Sequence, residues 1–159
     1  MTVADNNSFT ALELRNHAIV AGFGVPGRLA ADWLADRGIA YCVVELNPQT
    51  VQRCGKTGTP IIAGSVADEA TLREAGIEAA SMLIIAVPND HAVLDAVLIA
   101  KRLNPTIHIV ARCAFTSAGL EATRRGADKV IVAEQVVANE LVRLLEERTT
   151  ATSNSSISH

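Results

Sequence analysis

Apolar residues fall in six short, nearly unbroken runs, each followed by a stretch with helical spacing. The runs predict strands at 17–22, 40–45, 60–63, 80–87, 106–112 and 128–132. Between and after them, helices are predicted near 26–37, 48–55, 68–75, 90–103, 115–125 and 134–147. Met82 to Val87 is apolar at every position. That suits a parallel strand covered on both faces, since a strand with one wet face would alternate. Six β–α units with short connections predict an α/β fold: a Rossmann-like, doubly wound, parallel six-stranded sheet of strand order 3-2-1-4-5-6. Gly38, Gly58, Gly76 and Gly126 fall at or near helix ends, where a left-handed cap suits glycine. Residues 1–14 read as an N-terminal arm, 15–148 as one folded domain, and the Ser/Thr/Asn-rich 149–159 as a flexible tail.

Two helices are more apolar than a surface helix requires. Helix 90–103 carries Val93, Leu94, Val97, Leu98, Ile99 and Leu103; the last helix carries Val136, Val137, Leu141, Val142, Leu144 and Leu145. Either each makes a thick core contact, or the pair forms a subunit interface; the excess on two helices favours the interface.

Strand one runs into Gly22-Phe23-Gly24-Val25-Pro26-Gly27, a Gly-x-Gly-x-x-Gly pattern, and Glu45 lies 18 positions beyond Gly27. Alone the triple glycine is weak. With a strand before, a helix after and an acid closing strand two, it points to an adenine nucleotide. Gly22 permits the tight turn, Gly24 lets backbone approach a phosphate, and Gly27 lets helix pack on strand. The helix N-terminus then offers amides and a positive dipole end to the anion. A carboxylate at Glu45 can accept from both ribose hydroxyls and repels a 2′-phosphate, favouring NAD(H), AMP, ADP or ATP over NADP(H). Pro26 suits the first helical turn but deletes an amide donor there, and Val25 adds no charge, so the cradle suits few phosphates.

Other candidates cluster at the carboxyl ends of the strands. Gly64, Ser65 and Val66 follow strand three, where the Ser65 hydroxyl and Val66 backbone could meet the base; Asp68 reads as the cap of the next helix. Ala86, Val87 and then Asn89 and Asp90 follow strand four, with Asn89 or Asp90 as helix cap or ligand contact. Arg112 ends strand five and needs an anion, either a ligand phosphate or Asp90. His17 starts strand one at the opposite edge, and His91 reads as a solvated surface residue. There is no Tyr-x-x-x-Lys pair, no Gly-x-x-x-x-Gly-Lys-Ser/Thr loop and no metal-ligand spacing.

Composition narrows the classes further. In 159 residues, 49% hydrophobic but only 3% aromatic, one Ala/Val/Ile/Leu-packed core is expected. A formal charge of −3 with no basic run argues against nucleic acid. No apolar run is long enough to span a membrane, so no direct membrane insertion is expected, and the N-terminus lacks signal-peptide features. Cys42, Cys54 and Cys113 form no Cys-x-x-Cys pair and read as buried free thiols of a reducing compartment.

The order and spacing of several stretches resemble the N-terminal lobe of RCK domains, also called KTN or TrkA-N, and particularly the cytoplasmic lobe of Kef-type cation/proton antiporters. The stretches are Ile19 to Gly27, Val43 to Asn47, Ile62 to Ser65, Leu72 to Ala80, Ala86 to Asp90, Arg102 to Pro105, Ile109 to Arg112 and Gly126 to Ile131. The resemblance implies a non-catalytic regulator of potassium or other monovalent cation transport. It would be a cytoplasmic homodimer that senses a nucleotide and acts on a membrane cation transporter or channel. It implies a ligand shell of Gly22, Gly24, Gly27, Glu45, Ser65 and Arg112, to which position adds Phe23, Val25, Pro26, Leu46, Asn47, Gly64, Val66, Ala86 and Val87. The family often has Arg where Val25 stands and Asp or Asn where Ser65 stands, and many members carry a C-terminal lobe not seen here. AMP or NAD(H) is therefore the expected ligand. The rival readings are a minimal NAD-dependent oxidoreductase and a dimerisation scaffold with an empty cleft.

Overall fold

The computed structural model describes residues 13–155, and side chains to residue 150. Six parallel strands form one sheet in the order β3-β2-β1-β4-β5-β6: β1 Ala18–Ala21, β2 Tyr41–Glu45, β3 Ile61–Ala63, β4 Met82–Ile85, β5 His108–Cys113 and β6 Lys129–Val132. The helices are α1 Val25–Asp36, α2 Pro48–Thr57, α3 Glu69–Glu74, α4 Asp90–Leu103, α5 Thr116–Arg124 and α6 Ala133–Ser155, with one 3₁₀ turn at Ile77–Ala79. The expected α/β class and strand order are those observed.

Strand alternation sorts the core onto two faces. Ile19, Ala21, Cys42, Val44, Leu83, Ile85, Ile109, Ala111 and Cys113 face the larger cluster, which α3, α4 and α5 cover through Leu72, Val93, Val97 and Ala122. Ala18, Val20 and Val43 face α1, which supplies Ala31 and Leu34. His17 is fully buried at the start of β1, its Nε2–H donating 2.8 Å to the Ala75 carbonyl, far from any ligand edge. The three cysteines are free and buried, and burial pushes the Cys42 thiol up to about 12, which leaves it inert.

The two apolar helices part company. Val93, Ala96, Val97 and Ala100 of α4 are buried in the chain's own core, and only Leu98 among its large apolar residues is strongly exposed. The α4 stripe is wide because it fills the core, which corrects the interface expectation for that helix. Helix α6 behaves oppositely. From Glu134 to residue 150 every residue is exposed, including Val136, Val137, Leu141, Val142, Leu144 and Leu145. Its polar face is laced by Arg143 to Glu140 and Glu147 and by a Gln135–Asn139 hydrogen bond. It is also longer than expected, running to Ser155, because its Ser/Thr/Asn end contains no Gly or Pro to stop it. Most of the expected N-terminal arm lies outside the described residues, as does the end of the expected tail.

Candidate functional site

A cavity of about 910 Å³ opens at the carboxyl ends of β2, β3 and β4, lined by residues of three loops. Of the sequence candidates, Glu45, Leu46, Asn47, Gly64, Ser65, Val66 and Val87 line it. Val44, Pro48, Gln49, Pro88, Asn89 and Ala92 complete the wall. The glycine turn, Phe23 to Gly27, stands beside the cavity rather than in its wall, held to it through Glu45.

Each glycine of the turn has its own steric reason. Gly22 adopts φ +92°, and a Cβ there would come within about 3.0 Å of Val87. Gly27 is tighter still: a Cβ would sit 1.8 Å from the Gly22 carbonyl oxygen, so α1 reaches β1 only because Gly27 lacks a side chain. Gly24 is different, with ordinary φ −73° and nothing within 4 Å of where a Cβ would stand. The open space above Gly24 belongs to no protein atom. It lies at the N-cap of α1, where unpaired amides and the helix dipole favour an anion. Val25 is exposed there and Pro26 occupies the first turn, so the cradle lacks both a cation and one donor.

Glu45 joins the turn to the cavity. Its Oε2 accepts from the Phe23 amide at 2.8 Å and its Oε1 from the Asn47 amide at 2.8 Å. A carboxylate has about four acceptor directions, so two remain. Asn47 itself is spent on capping α2, its Oδ1 accepting from the Gln49 and Thr50 amides. Ser65 Oγ accepts from the Ala67 amide at 3.2 Å, and Gly64, at φ +157°, packs against Thr71. Asp68 caps α3 and Asn89 caps α4, as the local sequence suggests. His91 is exposed.

Of the two anionic partners open to Arg112, the structure removes one. Asp90 turns to the β5–α5 connection instead, accepting from Ala114 at 2.7 Å and Phe115 at 3.4 Å. Arg112 Nη1 reaches only the Val87 carbonyl, at 3.5 Å, and no ion pair of Arg112 is formed among the described residues. Alternation along β5 places it on the sheet face that α1 covers elsewhere, opposite Ile131 in register. Arg28, by contrast, is exposed on α1 and close enough to Cys54 of α2 to oppose the burial that raises that thiol.

Sequence reasoning missed Pro48, Gln49 and Ala92. The first turns of α2 and α4 follow directly on strand ends already assigned to the site, which was the available signal. Among the described residues Glu45 is the one titratable side chain in the cavity wall, and no group of His, Cys, Asp and Glu is placed to hold a metal. No described helix is long and apolar enough to cross a membrane.

Comparison with known proteins places these features in a family. The TrkA-N domain model matches residues 18–133. The chain is 30% identical over 135 residues to YbaL of Escherichia coli, covering 85% of this chain and 24% of that protein. It is 28% identical over 134 residues to Potassium channel protein 1 of Methanocaldococcus jannaschii, covering 83% and 40%. The chain thus spans well under half the length of these relatives. Among solved structures, the TrkA-N domain of Escherichia coli inner membrane protein YbaL superposes with a TM-score of 0.79 at 30% identity, covering 84% of this chain and 98% of that one. The AMP-bound Shewanella denitrificans Kef CTD shares the fold, with a TM-score of 0.69 at 23% identity over 88% and 87%. From the glycine turn through β6, the chain belongs to the TrkA-N domain family.

Proposed function

We propose that the chain is a non-catalytic, nucleotide-sensing domain that controls potassium or other monovalent cation transport. In this reading it acts as a homodimer on a membrane transporter or channel, from the cytoplasmic side. Glu45 carries the proposal. Its carboxylate faces the cavity with two acceptor directions unused, where adenosine ribose can offer two hydroxyl donors. The potassium channel and the AMP-bound Kef CTD among the related proteins are consistent with this role. A reductase needs an acid–base group beside the nicotinamide, and the one titratable side chain of the wall, Glu45, stands at the end of β2 where it meets a ribose.

The proposed ligand shell is the sequence-derived set, with Arg112 the cation that a phosphate would recruit. AMP is favoured because Pro26 and Val25 leave a second or third phosphate little to offset its desolvation. NAD(H) fits if its diphosphate reaches Arg112. Calorimetric titration of AMP, ADP, ATP and NAD⁺ tests this. AMP should bind at least as tightly as ADP or ATP. The double substitution Val25→Arg and Pro26→Phe should shift preference toward ADP and ATP by about 1.5–3 kcal/mol, a charge-assisted hydrogen bond. Tighter ATP than AMP binding by the natural chain would overturn the single-phosphate argument; no binding of any of them would overturn the nucleotide reading.

A further inference from the structure

Helix α5 has no cap of its own. Its N-cap residue is Phe115, whose side chain cannot accept a hydrogen bond, so the amides at the start of the helix must find acceptors elsewhere. Two carboxylates from other helices supply them. Asp90, first residue of α4, accepts from Ala114 and Phe115. Glu134, in the first turn of α6, accepts from the Thr116 amide and the Thr116 hydroxyl, both at 3.1 Å. Three consecutive amides are therefore shared between α4 and α6. In return, the Glu134 amide approaches the Ala114 carbonyl at 3.4 Å.

The two acids come from functionally different places. Asp90 follows Pro88 and Asn89, which line the large cavity, and Val87 before them receives Arg112 through its carbonyl. Glu134 stands in the first turn of α6, whose residues from there to 150 are all exposed. We propose that the start of α5 is a coupling junction: it ties the cavity wall at 87–90 to the base of α6 through Asp90 and Glu134. Fixing the wall then fixes the α6 base, and loosening either acid loosens the other end. The ligand-driven half rests on the nucleotide reading above. The reciprocal half does not, because coupling between two ends of one junction runs both ways whatever the trigger.

Hydrogen exchange of the intact chain tests both halves. In nucleotide-free protein, Asp90→Ala should speed exchange of the amides at 134–140, and Glu134→Ala should speed exchange at 87–92. Each effect should be roughly fivefold or more, the lower end of measured coupling. Arg143→Ala, on the polar face of α6, should leave 87–92 at the wild-type rate. Adding AMP to wild type should slow exchange at 134–140, and Glu134→Ala should abolish that response while AMP still binds by calorimetry. Unchanged exchange at 134–140 in a folded Asp90→Ala protein would overturn the junction. So would an AMP response that survives Glu134→Ala. If AMP fails to bind wild type, the nucleotide reading falls and the ligand-free variants still decide the junction.

Discussion

The Phe23 amide donates 2.8 Å to Glu45 Oε2, so the acid that closes β2 is built into the glycine turn as well as into the cavity. Glu45→Gln keeps one acceptor oxygen and leaves either Phe23 or Asn47 without its partner. AMP affinity should fall by about 1.5–3 kcal/mol, the range for hydrogen bonds to a charged group, and discrimination against a 2′-phosphate should relax. Calorimetry with AMP and a 2′-phosphorylated analogue reads both effects. Equal affinities for wild type and variant would mean that Glu45 serves the turn alone.

Gly24 and Gly27 separate binding from folding. Gly27→Ala drives a Cβ to 1.8 Å from the Gly22 carbonyl oxygen and should destabilise the fold by about 3 kcal/mol or more, or prevent folding altogether. Gly24→Ala meets no protein atom and keeps an allowed backbone conformation. Its melting temperature should stay near wild type while nucleotide affinity drops, since the methyl fills the space a phosphate needs. A thermal melt and a titration on each variant suffice. A Gly24→Ala protein that binds normally would remove the phosphate from this position.

Self-association should depend on α6 and not on α4. Leu141→Glu and Leu144→Glu change exposed residues, so folding should survive while any dimer weakens, because an unpaired charge in an apolar interface costs several kcal/mol. Val97→Glu places the same charge in the core and should unfold the chain. Sedimentation across micromolar concentrations reads the first effect; a wild-type monomer throughout that range would rule out the dimer.

Asp128 gives an acid limb to stability. The Ile109 amide holds its carboxyl below the usual range, with Lys101 adding to the effect and partial burial opposing it. A lowered folded-state value means that the contribution is complete above the unfolded carboxyl's titration near about 4 and is lost as pH falls through the folded value. Asp128→Ala should therefore lower stability at pH 7 and cost progressively less below about pH 4. The side chain is 37% exposed, so solvent screening holds the pH 7 loss to about 1 kcal/mol. Melts of both proteins from pH 3 to 7 should converge at the acid end; a constant gap would show that the Ile109 bond does not depend on charge.

The sheet was legible in the sequence because strands buried on both faces are apolar without interruption, as Met82 to Ile85 show within one such run. The site was partly legible for a related reason: the glycines and Glu45 answer to local geometry, and that geometry has a fixed spacing. What could not be read was long-range. Periodicity reports that α4 has an apolar stripe, but the same stripe serves a core or a partner, and Val97 and Leu144 look alike until the chain is folded. Asp90 reads from its neighbours as a local cap or a ligand contact, yet its bonds to Ala114 and Phe115 cross 24 and 25 positions. Nothing in the sequence around Phe115 says which distant acid will complete the helix that follows.

The 23 residues of α6 make a rod roughly 35 Å long, fastened to the body mainly at its first turn. Mechanically that is a long arm on a short bearing. A tilt of about 5° at Glu134 carries the far end through about 3 Å over such a length. A tilt too small to disturb the base of the rod is thus multiplied along its length into a displacement of ångströms at the tip.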